Sequence, residues 1–220
     1  MDIAKIRKNA SELSLGSSSD IIIESVFQEF LNLDLSKASK IMDVGCGQGH
    51  LLSKVRAVGY ENLTGCDYSD FQGEKNFNFF QHDCNLAFPA DVEGFDCLLC
   101  SEVIEHIENP WFFIRELLRV LKKEGGLVLS TPNPESWLSI ITLVVKGYYN
   151  AFGPKDYPAH ITPVSHYEVN NMITAAGSKI EKTFFIPNGR MPGTGFMWKQ
   201  LIPAVAGKRF SDNYIVVVKK

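Results

Sequence analysis

No apolar stretch in this sequence is long enough to cross a membrane. The longest candidate, Trp137 to Val145 (WLSIITLVV), contains Ser139 and Thr142 and falls well short of the roughly 18 residues a spanning helix needs. The first residues do not read as a secretory leader, because Met1-Asp2-Ile3-Ala4-Lys5 mixes charge into the start and polar residues follow. An excess of one charge is missing too. Twenty-two Lys and Arg stand against 25 Asp and Glu, a net charge of −3, so the whole chain offers no general attraction to nucleic acid or anionic lipid. Cysteine is scarce and odd in number, at Cys46, Cys66, Cys84, Cys97 and Cys100. That argues against a disulfide framework and for reduced thiols in a cytoplasmic protein. Internal repeats and low-complexity tracts are lacking. What is present, 45% hydrophobic and 21% charged residues over a length of 220, suffices for one globular domain with a substantial core.

The pattern along the chain is an alternation of strands and helices. Residues 1–19 read as a tail ending in the serine run Ser17-Ser18-Ser19, which supplies a cap for an amphipathic helix within 20–39. That helix carries Ile22, Val26, Phe27, Phe30 and Leu31 at helical spacing and is expected on the domain or near its cleft. Within 40–131, strands are predicted at Ile41–Val44, Asn62–Cys66, Asn76–Gln81, Phe95–Cys100 and Leu127–Ser130. A helix follows the first strand, and another opens at Asn109-Pro110 and runs to Lys123, with Gly125-Gly126 beyond its end. This alternation predicts an α/β fold, a doubly wound parallel sheet covered by helices on both faces. Residues 132–165 hold five prolines and read as a lid or acceptor insertion over the cleft. Residues 166–220 complete the domain with a helix stopped by Gly177 and a closing strand pair at roughly 179–185 and 214–218.

The chemistry concentrates at strand ends. Asp43-Val44-Gly45-Cys46-Gly47-Gln48-Gly49 places glycines at alternate positions between a strand and a helix, where backbone can approach a ligand closely. The second strand ends in Asp67, at the position that holds ribose hydroxyls in a doubly wound sheet. The dinucleotide fingerprint fails, because His50 stands where its last glycine belongs. Asp43 also suits a cationic ligand, such as an aminoacyl sulfonium, better than a pyrophosphate. Cys97 and Cys100 are three apart on a strand, so their sulfurs point to opposite faces and serve as core rather than as a metal or redox pair.

Asp43–Gly49 (DVGCGQG), Gly65–Ser69 (GCDYS), His82–Cys84 (HDC), Phe95–His106 (FDCLLCSEVIEH) and Arg119–Gly126 (RVLKKEGG) occur in an order that resembles the motifs of class I S-adenosylmethionine-dependent methyltransferases. The resemblance covers roughly residues 40–131. It implies a Rossmann-like seven-stranded sheet, order 3-2-1-4-5-7-6 with strand 7 antiparallel, and S-adenosylmethionine as cofactor. By resemblance, Gly45, Cys46, Gly47 and Gly49 lie under the methionine portion, with Asp43 near its amino group. Asp67 would bind the ribose, Tyr68 would flank the adenine, and Asp83 with Cys84 would reach its edge. Ser101 and Glu102 would sit beside the methyl group.

Methyl transfer to a hydroxyl needs a base, and His106, just past the fourth strand, is the candidate; the alternative is a ring tied to a backbone carbonyl. If Glu102, Glu105 and His106 lay on one helix face they could hold a divalent ion. Such an E-x-x-E-H string resembles those of ubiquinone-pathway O-methyltransferases and of metal-dependent small-RNA 2′-O-methyltransferases, where a downstream histidine (here His160 or His166) would complete the site. The expected acceptor is a small molecule carrying a hydroxyl, lipophilic in the sharper reading, with a metal-dependent RNA enzyme or a non-catalytic cofactor-binding subunit as rivals. Trp137, Leu138, Ile141, Val144 and Val145 share one helical face, read as a lid helix packed on the core, with a lipid-touching surface as the alternative. A second apolar cluster, Phe196 to Ile202, is expected to line the same mouth.

Overall fold

Alternating short apolar strands and helices wind into one seven-stranded sheet in the computed structural model, which describes residues 18–71 and 76–220. The tail predicted at 1–19 lies outside the described residues except for Ser18 and Ser19. The strands are β1 (Ile41–Val44), β2 (Leu63–Asp67), β3 (Asn78–Gln81), β4 (Phe95–Ser101), β5 (Leu121–Pro132), β6 (Lys179–Phe185) and β7 (Asn213–Lys219). Their order is β3-β2-β1-β4-β5-β7-β6. Strands β1 to β5 pair in parallel, and β7 runs antiparallel to both β5 and β6. This is the predicted order and the predicted odd strand.

The helices α1 (Asp20–Leu31), α2 (His50–Ala57), α3 (Pro110–Val120), α4 (Trp137–Lys146), α5 (His166–Ala175) and α6 (Trp198–Leu201) connect them. The central strands read as continuous apolar runs because both their faces are covered. On one side Leu98, Cys100, Leu127 and Leu129 pack with Phe113 and Leu117 of α3 and Ile173 of α5. On the other side Cys97, Leu99 and Val128 pack with Phe27 and Phe30 of α1 and Leu52 and Val55 of α2. Cys97 and Cys100 thus face opposite layers, as their spacing requires.

Two features differ from expectation for non-local reasons. Helix α3 stops at Val120 instead of reaching Lys123, and β5 begins at once with the buried Leu121 opposite Phe95. The register then shifts so that Gly126 meets Cys97, and Glu124 takes up the slack at φ +65°. Gly126 does not cap the helix. It lies under α1's exit, where an added Cβ would meet Leu33 at 3.0 Å. The second difference is α4. Ser139 is its single buried residue, while Val144 and Val145 are 80% and 73% exposed. The apolar stripe expected to pack on the core faces outward, and the serine face of Ser136 and Ser139 turns in.

Candidate functional site

The carboxyl ends of β1, β2 and β4 converge on a cavity of about 590 Å³. Its floor is the turn after β1. Gly45 and Cys46 donate their N–H groups to the Cys66 carbonyl at 2.8 and 3.0 Å, which ties the turn to β2. Gly45 has φ +73°, and a Cβ there would meet Val103 at 2.4 Å, so only glycine fits. Gly49, at φ +81°, starts α2 and would collide with Phe77 if it carried a Cβ.

Asp43, Gly45 and Cys46 line the cavity, whereas Gly47 and Gly49 shape the turn without lining it. Asp67 closes β2 and accepts the Gly47 N–H at 2.9 Å and the Ser69 N–H at 3.1 Å. The carboxylate therefore fixes the glycine turn and faces the cavity at once. Burial, with Asp67 nearby, pushes the Asp43 carboxyl well above the usual carboxylate range. Burial also raises Asp67, against backbone N–H groups that favour its charge. Two buried acids side by side form a site that a cation would relieve.

Tyr68 and, beyond β3, Asp83 and Cys84 add another wall. Asp83 is steadied there by accepting the Asn85 backbone and side-chain N–H groups at 2.9 and 3.1 Å. His82 stacks on Phe88 with ring centroids 4.6 Å apart. Its Nε2 is buried without a partner among the described residues. The Cys66 and Cys100 thiols are poor nucleophiles. A hydrogen bond with Cys84 and burial push Cys66 up, and burial does the same to Cys100.

The end of β4 corrects one expectation. Glu102 sits at φ +56°, outside any helix, and only Ile104–His106 form a short 3₁₀ turn. Its carboxylate turns back to the sheet, accepting from Ser130 Oγ at 3.0 Å and Asn213 Nδ2 at 2.7 Å. Glu102 lines the cavity beside Ser101 but does not join Glu105 and His106 in a ligand set. Ligand atoms of Glu105, His106 and His160 instead lie within 4.8 Å of one another. Glu105 is wholly buried, with one oxygen on Thr131 Oγ1 at 3.0 Å and Oε1 without a partner among the described residues. Burial raises its carboxyl to about 8. His166, the other downstream histidine considered, is engaged elsewhere, its Nδ1 on Glu135 at the start of α5.

His106 lines the cavity and donates Nδ1–H to the Ala159 carbonyl at 2.7 Å. Burial holds it below the usual histidine value although the Ala159 and Glu102 carbonyls pull upward. His160 is held alike, Nδ1 on the Ala151 carbonyl at 2.7 Å, and its ring meets His106 edge-on at 4.8 Å. The segment 157–161 is pinned over the cavity because the Ile161 and Thr162 N–H groups bond the Glu105 carbonyl. Other lining groups were not assigned from sequence. They include Ile22 and Ile23 of α1, His50 and Leu51 of α2, and Val103. The helical period of α1 and the nonglycine at position 50 were their only sequence signals.

Comparison with known proteins agrees with this fold. A family model described as a methyltransferase domain matches residues 21–182. A ubiquinone biosynthesis O-methyltransferase of Rickettsia conorii is 32% identical over 161 residues, 67% of this chain and 54% of that protein. The counterpart in Rickettsia canadensis is 29% identical, over 74% of this chain and 71% of its own. The chain spans about half to two-thirds of the length of such relatives. Among solved structures, a SAM-dependent methyltransferase of Archaeoglobus fulgidus superposes with a TM-score of 0.62 at 18% identity, covering 90% and 94% of the two chains. One from Thermotoga maritima gives 0.65 at 18% identity, covering 90% and 88%. At that identity the likeness concerns the fold.

Proposed function

Since the chain belongs to the methyltransferase domain family, we propose that it transfers the methyl group of S-adenosylmethionine to a hydroxyl oxygen of a small, lipophilic acceptor. The observation that carries this reading is one cavity lined both by the paired acids Asp43 and Asp67 and by the imidazoles of His106 and His160. Asp43 suits the cofactor's ammonium and Asp67 the ribose hydroxyls, each carboxylate oxygen having a lone pair to spare. Tyr68 flanks the adenine, and Asp83 with the Cys84 backbone meets its edge. Ser101 and Glu102 border the methyl group. Apolar walls from Ile22, Ile23, Val103 and Ile107 favour a lipophilic acceptor. A cytoplasmic location suits its five free thiols.

The reaction is an in-line displacement. The acceptor oxygen bonds the methyl carbon, the carbon–sulfur bond breaks, and its electron pair stays on sulfur as S-adenosylhomocysteine forms. The hydroxyl proton goes to Nε2 of His106, the basic nitrogen of a neutral ring whose Nδ1–H is held by Ala159. Enclosure under 157–161 aligns the partners and excludes water, where most of the gain in such transfers arises.

The test is S-adenosylhomocysteine production with a prenylated catechol as acceptor. His106→Ala is expected to lower turnover by about 10²–10⁴-fold while leaving cofactor affinity by calorimetry unchanged. Equal turnover would demote His106 to scaffolding, and no product from any hydroxyl acceptor would favour a cofactor-binding subunit. One observation supports a second reading: the unpartnered Glu105 oxygen with two imidazoles fits a divalent ion. Full turnover in excess EDTA would remove it.

A further inference from the structure

Residues 151–162 fold back on themselves as a strap, and its part 157–161 lines the cavity. The Gly153 N–H bonds the Asp156 carboxylate at 2.8 Å, and the Asp156 and Tyr157 N–H groups return to the Gly153 carbonyl. The His160 N–H reaches the Asp156 carbonyl, and the His160 ring bonds the Ala151 carbonyl. A unit closed by its own bonds shifts as one body unless the fold holds it at more than one point. Ile161 and Thr162 both donate their N–H groups to a single atom, the Glu105 carbonyl oxygen, at 2.9 and 3.0 Å. One shared acceptor is only a pivot. The Thr162 hydroxyl supplies a second point by donating to the Ile107 carbonyl at 2.6 Å. Glu105 and Ile107 flank His106 in the chain, so this clamp straddles the base of the proposed transfer.

The strap in turn decides the state of His106. The Nδ1 atom of that ring lies 2.7 Å from the Ala159 carbonyl, three residues before Thr162. A carbonyl only accepts, so Nδ1 carries the proton and the neutral ring keeps its lone pair on Nε2. Only this tautomer can take a hydroxyl proton at Nε2. The Glu102 carbonyl also faces the ring, so a drifting Ala159 would leave the imidazole another acceptor and no fixed tautomer.

We propose that Thr162 is a positioning residue for the methyl transfer: its hydroxyl locks the strap against residues 105–107 and so keeps the His106 proton on Nδ1. Thr162 does not line the cavity, so it acts through the Ala159 carbonyl and not on cofactor or acceptor. Serine would make the same bond to Ile107, and valine, of nearly the same shape, would leave that carbonyl without it. The effect on turnover rests on the reading of His106 as the base, whereas the tautomer itself does not.

The experiment is ¹⁵N NMR of the imidazoles in the full chain without cofactor or acceptor. It is run in buffer containing EDTA at about pH 8, where the rings are neutral, with His106→Ala identifying the signal. The wild type is expected to carry the proton on Nδ1, Thr162→Val to show a mixture of tautomers, and Thr162→Ser to restore the wild-type signal. Thr162→Val should lower kcat on a short, water-soluble catechol by about three- to tenfold and leave KM for S-adenosylmethionine unchanged. Its turnover of a nitrocatechol already ionised at that pH should equal that of wild type, since that reaction needs no base. The melting midpoint should fall by no more than about 4 °C. A wild-type ring protonated on Nε2 would overturn the proposal without any variant. So would a wild-type tautomer in Thr162→Val, or equal losses on both acceptors, which mark a merely structural role. A shifted tautomer in Thr162→Val, beside a wild type that methylates no hydroxyl acceptor, would leave the positioning standing and refute the acceptor reading instead.

Discussion

Asp43 and Asp67 show how a site costs stability when nothing occupies it. A folded-state carboxyl raised above its unfolded value keeps its proton to higher pH than the unfolded chain does. Stability from that group is therefore fullest below the ordinary value of 3.8 and declines as pH rises toward the raised one. Asp43→Asn should accordingly raise the melting midpoint of the cofactor-free protein at neutral pH, by about 2–4 °C per kcal/mol gained. The gain should shrink in acid, where wild type is protonated too. The same variant should weaken S-adenosylmethionine binding, and a variant that neither stabilises nor weakens binding would remove Asp43 from the site. On the proposed reading, Asp67→Ala should weaken binding by roughly 1.5–3 kcal/mol, since it would remove charge-assisted ribose bonds together with the anchor on Gly47. Calorimetry with S-adenosylhomocysteine reads both.

Helix ends govern which histidine goes where. Ser165 caps α5 by accepting the Glu168 N–H, and Glu168 returns a bond to the Ser165 N–H. That box follows the segment 157–161 that covers the cavity, and His166 opens the helix with its ring on Glu135. Ser165→Ala should cost about 1 kcal/mol in chemical denaturation. Turnover should hold, because neither residue lines the cavity. A large loss of turnover at unchanged stability would mean that the cap sets the position of His160. Helix α3 teaches a different lesson. Its cations and following glycines read as a helix end near Lys123, yet the helix stops at Val120 because Leu121 is claimed by the sheet opposite Phe95.

At the scale of the whole molecule, both layers of the sheet are filled while its β1–β2–β4 end is left open, so ligand binding completes the fold. Saturating S-adenosylhomocysteine at about 100 times its dissociation constant should add roughly 2.7 kcal/mol and raise the melting midpoint by about 5–11 °C. No shift, or a shift with NAD⁺ instead, would contradict the cofactor reading. The strand–helix alternation, the order of the sheet implied by its motifs and the acids at its strand ends were legible in the sequence, because each is written in residues near one another along the chain. The sequence offered His160 and His166 alike as the partner of His106, and the choice of His160 depends on Ile161 and Thr162 bonding a carbonyl more than fifty positions back. Glu102 left its expected neighbours for Ser130 and Asn213, partners that only sheet pairing brings close. Sequence periodicity made α4 a helix with one apolar stripe, and tertiary packing decided that the stripe faces solvent. A local pattern specifies the shape of an element, but which surface covers it depends on contacts between distant parts of the chain.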